Sequence, residues 1–262
     1  MITSVQNPKI KWVRSLQANS RLRREEGVFV VEGVRLVEEA FSGGWEARLV
    51  LYAADLSPRG RLVLEGFAGR DVPLEEVSPQ VMRAASDTEA PQSLLAVLTQ
   101  RTLPVPQALN LVFIPDAVRD PGNLGTMLRT ACAAGVQAVF LPPGSVDALA
   151  PKVLRAGMGA HFRLPMLSLS WEEIGKTLEP LKVYLAAAGA GAPYWAADFF
   201  SPLALIIGGE AEGAGPQAQH LADASVHIPM PGGGESLNAA AAGAVLLYEV
   251  VRQRQLAKNQ KQ

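Results

Sequence analysis

Three loops in the second half of the chain hold the residue types that ligand binding and group transfer use. The first, Asp120-Pro121-Gly122-Asn123-Leu124-Gly125, opens a helical stretch that contains Arg129. Asn123 reads as the N-cap. A helix N-terminus favours anions, and a guanidinium nearby adds a bidentate donor for phosphate. Leu124, Leu128 and Ala131 make the core stripe, so Arg129 lies off that stripe, about two turns into the helix. The second loop, Gly208-Gly209-Glu210-Ala211-Glu212-Gly213-Ala214-Gly215-Pro216, follows the apolar pair Ile206-Ile207. Glycines directly after a buried strand let backbone approach a ligand closely. The third begins at His227-Ile228-Pro229-Met230 and runs through a Pro-Gly stretch to Gly234-Glu235-Ser236-Leu237-Asn238. It feeds a long Ala-rich helix, with Ser236 placed as its N-cap.

Other chemistries fit these residues poorly. Gly213-Ala214-Gly215-Pro216-Gln217-Ala218 matches a relaxed dinucleotide fingerprint, but it starts several residues past the strand. Glu210 and Glu212 would also repel a pyrophosphate. Gly234 to Asn238 resembles a nucleophile elbow, yet fails at the fifth position and follows a loop rather than a strand. No evident His–Asp pair supports a hydrolase. One cysteine, Cys132, and three histidines, His161, His220 and His227, make neither a disulfide nor a Cys-rich zinc site. No metal is expected.

The elements that must position these loops alternate between strand and helix. A helix starts at Asn7-Pro8, with Ile10, Val13 and Leu16 on its buried side. Strands are predicted at 27–31, 47–52, 72–77 and 93–98, with a helix over 34–41. Residues 99–108 contain two prolines and read as a linker. A second series follows, with strands at 109–114, 136–141, 182–187, 203–207 and 225–228. Its helices are predicted at 123–134, 150–158, 171–179 and 236–254. The expected architecture is α/β, with a small domain over 1–98 and a larger one over 109–262. Alternation of this kind predicts a largely parallel sheet covered on both faces. Ligands bind beyond the carboxyl ends of strands in such sheets, and all three loops fall there.

Composition bounds the alternatives. The chain has 262 residues, 48% hydrophobic and 19% charged, which excludes wholesale disorder and suits one large domain or two ordinary ones. The sequence predicts no signal peptide and no membrane span, so a reducing cytoplasm is the expected location. Net charge is −1, but residues 1–35 carry +4 and residues 252–262 carry +4, leaving −9 on the body between them. Basic ends on an acidic body are what a polyanion binder shows, although solvated basic tails give the same pattern.

Taken in order, the three loops resemble the SpoU/TrmH family of SPOUT RNA ribose methyltransferases. The first motif is similar to Asn123-x-Gly125-x-x-x-Arg129-Thr130, the second to 208–213. The third is similar to Ile228-Pro229-Met230 followed by Ser236-Leu237-Asn238. The segment 152–160 resembles the family's stretch between the first two motifs, with Gly157 or Met158 standing where a Ser is common. The stretch from Asn7 through Arg21 to Gly33 resembles its substrate-binding domain. The resemblance implies a C-terminal trefoil knot, S-adenosylmethionine as methyl donor, RNA as substrate (large-subunit rRNA ahead of tRNA) and a homodimer. It implies catalytic roles for Arg129, Asn123, Glu210, Ser236 and Asn238, and donor binding at Gly208, Gly209, Ile228, Met230 and Leu237. RNA binding is expected of the N-terminal bases Lys9, Lys11, Arg14, Arg21, Arg23 and Arg24. Two other readings stay open on the residues alone. One is a non-enzymatic RNA-binding protein on a methyltransferase fold, the other a nicotinamide-dependent enzyme.

Overall fold

A computed structural model of the chain describes residues 1–209 and 213–259. In chain order the helices are α1 (Pro8–Ala18), α2 (Ser20–Glu26), α3 (Val34–Ser42), α4 (Pro58–Ala68), α5 (Pro79–Ala85), α6 (Pro121–Ala133), α7 (Pro151–Gly157), α8 (Trp171–Leu178), α9 (Pro216–Leu221) and α10 (Ala239–Asn259). The strands are β1 (Val28–Glu32), β2 (Ala47–Tyr52), β3 (Leu74–Glu76), β4 (Leu94–Thr99), β5 (Leu111–Asp116), β6 (Ala138–Leu141), β7 (Met166–Ser168), β8 (Lys182–Ala186), β9 (Ala192–Pro193), β10 (Leu203–Gly208) and β11 (Ala224–His227). They divide between two compact units. Met1–Arg101 and Asp147–Phe162 form the first, Thr102–Val146 and Arg163–Gln262 the second.

In the first unit, Asn7 caps α1 by accepting from Lys9 N at 2.9 Å, with Pro8 inside the first turn. Ile10, Val13 and Leu16 are buried as their spacing requires. Asn19 ends α1 and caps α2, accepting from Arg21 N and Leu22 N; Gly27, at φ 63°, closes α2 and turns the chain into β1. The sheet order is β1-β4-β2-β3. Both ladders of β4 are antiparallel and only β2–β3 is parallel, so this sheet is mixed rather than largely parallel. Strand–helix alternation along the chain does not encode the direction in which the last strand inserts.

Two helices, α4 and α5, lie where the sequence reading placed no element. Each starts Ser-Pro, and the proline that reads as a breaker is the first helical residue, behind a serine cap. The segment Asp147–Phe162, which the sequence reading assigned to the 109–262 domain, packs within the first unit. Trp45 binds it there, edge-on to Phe162 and to Phe29 at ring separations of 5.4 and 5.7 Å.

The second unit is built on seven parallel strands in the order β7-β6-β5-β10-β8-β11-β9. β5 and β10 read as continuous apolar runs because both faces are covered. On one face Val112, Ile114, Ala204 and Ile206 pack with Ile174 and Leu178 of α8 and Ala218 of α9. On the other, α6 packs against α10, and Gly243 of α10 sits over Phe113, Ile207 and Met127. The carboxyl ends of β5, β8, β10 and β11 therefore open on one edge of the sheet, where the three loops emerge.

Candidate methyl-donor and nucleotide site

α6 fixes the first loop. Its N-cap is Asp120, not Asn123, and the Asp120 carboxylate accepts from Asn123 N at 2.8 Å. Asn123 is thereby inside the first turn rather than at the cap. The correction follows from Pro121, which takes the first helical position and moves the cap one residue ahead of it. Leu124, Leu128 and Ala131 are fully buried, and Arg129 is exposed on the far side of the helix. Among the described residues Arg129 has no hydrogen-bond or ion-pair partner.

The third loop delivers Asn238 to the same place. α10 begins at Ala239 rather than at 236, and its capping side chain is Asn238, whose Oδ1 accepts from Ala240 N and Ala241 N. Ser236 is therefore not the cap, because the chain enters its first helical turn two residues later. The other end of the Asn238 amide, Nδ2, donates to Asn123 Oδ1 at 3.0 Å. One side chain closes the helix start and ties the third motif to the first.

Between these loops lies a cavity of about 690 Å³. The size suits a nucleoside-sized ligand. Its walls include five of the predicted donor-binding residues, Gly208, Gly209, Ile228, Met230 and Leu237, and two of the predicted catalytic ones, Ser236 and Asn238. Asn123 joins through its bond to Asn238. Arg129 is not part of the wall: six residues beyond Asn123, it lies about 9 Å further along the helix. Glu210 lies outside the described residues.

The cavity also takes wall residues that the sequence reading passed over. Ala186 ends β8, Ala187, Ala188 and Gly189 follow it, and His227 and Glu235 add to the described polar lining. The signal for the alanines was available, since a small-residue run directly after a buried strand is what backbone approach to a ligand needs. Asp116 was also missed. Its buried carboxylate at the end of β5 accepts from Gly215 N at 2.7 Å.

Of the predicted RNA-binding bases, Lys9, Lys11, Arg14, Arg21 and Arg24 are exposed in the first unit, with Lys9 paired to Glu75 and Arg21 to Glu25. Arg23 does not belong with them. Only 4% exposed, it donates to Leu16 O, Gln17 O and the Asp147 carboxylate. A guanidinium occupied this way stitches α1, α2 and the segment after 147 together and offers nothing to phosphate. Among the described residues no cluster of His, Cys, Asp or Glu is placed to hold a metal, and no helix is long and apolar enough to cross a membrane.

Residues 110–248 match the model of the SpoU rRNA methylase family, and residues 7–96 match an MRM3-like substrate-binding domain. The chain belongs to the SpoU rRNA methylase family. The SpoU chain is 34% identical to the 23S rRNA (guanosine(2553)-2′-O)-methyltransferase RlmP of Bacillus subtilis, over 95% of this chain and 98% of that one. It superimposes on the AdoMet-bound rRNA methyltransferase of Sinorhizobium meliloti with a TM-score of 0.86 and 30% identity, covering 96% of this chain and 97% of that one. The SpoU methyltransferase AviRb of Streptomyces viridochromogenes, in complex with AdoMet, superimposes with a TM-score of 0.85 at 29% identity, over 95% and 99% of the two chains. Membership of the family leaves no place for a nicotinamide-dependent reading of 213–218, where Pro216 begins α9 and Gly215 N is already bonded to Asp116.

Proposed function

We propose that this protein transfers a methyl group from S-adenosylmethionine to a ribose 2′-hydroxyl of large-subunit ribosomal RNA, in the cytoplasm and as a homodimer. The observation that carries the reading is the cavity framed by the second and third motif loops, with the first motif bonded to its rim through Asn123 and Asn238. Its residues fit the donor. Ala187, Ile207, Ile228 and Leu237 offer apolar wall to an adenine, the glycines leave backbone polar groups open, and the Glu235 carboxylate complements a sulfonium charge. The donor supplies an electrophilic methyl group that needs no metal activation.

The protein's part is to hold the ribose oxygen in line and to stabilise the negative charge growing on it. Arg129 suits that second task as a fixed cation. A guanidinium keeps its proton near neutrality and is a poor base, so Arg129 acts as an electrostatic clamp on the oxygen and its neighbouring phosphate. Asn123, Glu210, Ser236 and Asn238 position the nucleotide. The first unit supplies the basic surface that holds RNA, through Lys9, Lys11, Arg14, Arg21 and Arg24. A knotted path for the C-terminal third belongs to the same reading; the meeting of the 208–215 and 228–238 loops at one cavity supports it.

Two observations support the dimer. Arg129 stands exposed and outside its own cavity wall, so a site on a second copy can use it. Ala241, Val245 and Tyr248 of α10 lie at helical spacing on its outer side, with Val245 half-buried and Tyr248 51% exposed. The deciding experiment compares ribose 2′-O-methylation across total RNA from a deletion strain and its parent. One 23S position should lose its methyl group and regain it when the gene is restored. Identical maps would refute the reading.

A further inference from the structure

Asp116 ends β5 opposite Gly208, the last residue of β10, in a parallel register. Its side chain is 3% exposed and takes no part in the cavity wall. Instead its Oδ2 accepts from Gly215 N at 2.7 Å, seven residues beyond Gly208. The bond closes the base of the second motif loop, which also narrows where Gly209 bridges Gly213. Gly215 starts α9 without any side-chain cap of its own, so the Asp116 carboxylate supplies the acceptor that the helix start lacks.

The next residue, Ala117, is held in the left-handed region at φ 51°, unusual for a residue with a Cβ. A Cβ on Gly144 would stand 3.8 Å from the Ala117 Cβ, and one on Gly209 would collide with the Ala117 carbonyl. Three residues further on, Asp120 caps α6 and holds Asn123. Asp116 thus sits where the loop bearing Gly208, Gly209 and Glu210 is joined to the loop bearing Asn123.

We infer that Asp116 is a positioning residue for methyl transfer: its buried carboxylate holds Gly215, and through it keeps the wall glycines Gly208, Gly209 and Gly213 in one geometry with the Asn123–Asn238 pair. The inference rests on the proposed function for its catalytic consequence and on the bond to Gly215 for its mechanism. Asp116 lies outside the cavity wall and acts through Gly215.

The test uses full-length Asp116→Ala and Asp116→Asn, both assayed well below their melting temperatures. Asp116→Ala should raise the donor KM and lower kcat, each about ten-fold or more, with RNA affinity within two-fold of wild type. Asp116→Asn keeps an oxygen acceptor for Gly215 N and should recover kcat to within three-fold. Asp116→Ser, too short to reach Gly215, carries the same expectation as Asp116→Ala should the latter not fold. Unchanged donor KM and kcat in the folded Ala or Ser variant overturn the inference. So does a fall in donor and RNA affinity together with no rescue by Asn, the mark of a merely structural residue. Amide hydrogen exchange reads the clamp without activity. It should accelerate across 208–221 in the Ala variant while 136–141 stays protected; unaltered exchange sinks the clamp. Absence of methyl transfer by wild type, by contrast, refutes the proposed function and leaves the exchange result to stand on its own.

Discussion

Asn238 Nδ2 donates to Asn123 Oδ1 at 3.0 Å, joining residues 115 positions apart, while Asn238 Oδ1 caps α10. The two ends of one amide therefore serve two tasks that substitution can separate. Asn238→Asp keeps a cap acceptor and places a negative charge at a helix start, which helices favour. It loses the donor to Asn123. Its melting temperature should equal or exceed that of wild type while kcat falls at least ten-fold. Asn238→Ala should lose both, with about 1 kcal/mol of stability going with the cap. Calorimetric melting beside a methyl-transfer assay checks the pair; an active Asn238→Asp would show that the link to Asn123 is dispensable.

Arg129→Ala should abolish methyl transfer and leave both the melting temperature and the donor affinity close to wild type. The side chain is exposed and lies outside the cavity wall, so its loss costs transition-state stabilisation rather than binding of the donor. Arg129→Lys should recover little, since a point charge does not replace a planar bidentate donor. Isothermal titration with the donor, run beside single-turnover kinetics, reads the two effects apart.

The exposed bases and the buried one predict opposite outcomes. Charge reversal at Lys11, Arg14 and Arg24 should weaken RNA binding and lower the salt slope by about 2, at ~0.7 per phosphate contact. Folding should be unaffected. Arg23→Ala should instead cost about 2 kcal/mol or more, because the Asp147 carboxylate and the carbonyls of Leu16 and Gln17 lose a buried donor. Filter binding across a salt series, with denaturant unfolding of each variant, distinguishes a phosphate contact from a structural bolt.

His161 predicts a pH dependence. The ring is buried, Nε2 lies 2.8 Å from Ala148 O, and Nδ1 has no partner among the described residues. Burial pushes its pKa down from 6.5 to about 4, against smaller opposing effects from the Ala148 carbonyl and Asp147. Between those values the unfolded chain binds the proton and the folded one does not. The contribution, about 3 kcal/mol, is therefore complete above pH 6.5 and is lost as pH falls toward 4. Urea unfolding at pH 7, 5.5 and 4.5 should show this loss in wild type and a shallower one in His161→Phe.

Tyr248→Glu together with Val245→Glu should convert a dimer into a species of 27.8 kDa by light scattering at micromolar concentration. Two carboxylates on the outer side of α10 would have to be desolvated in any interface formed there. Methyl transfer should fall with the dimer. A wild-type mass of one chain at that concentration would remove the dimer from the proposal.

How far the sequence reached differs between the two units. Apolar runs such as 111–116 and 203–208 announce themselves because a strand buried on both faces has no polar alternation to hide in. The stripe Leu124, Leu128, Ala131 located the core face of α6 and, by exclusion, Arg129. The glycines after Ile207 were legible as a place of close backbone approach, because that role depends on a strand end, whereas Ile228 and Leu237 were marked by the family resemblance alone. The helices α4 and α5 were not legible, since a Ser-Pro start carries the same residues as a turn. Two helix starts were also misplaced, unlike that of α1: Pro121 moved the cap of α6 to Asp120, and Asn238 displaced Ser236 at α10.

What only the tertiary structure decided are relationships between distant segments. Sequence shows that Arg23 is basic; its burial against Asp147, 124 residues away, depends on which surface folds over it. Asp116 looks like any acid at a strand end until Gly215 N is found 2.7 Å from it. Asn123 and Asn238 are each explicable as caps, and one is not a cap at all. Periodicity and turn chemistry are properties of neighbours in the chain, so they are written in the sequence. A hydrogen bond across 115 residues depends on strand order and loop path, and these are settled only when the whole parallel sheet has packed.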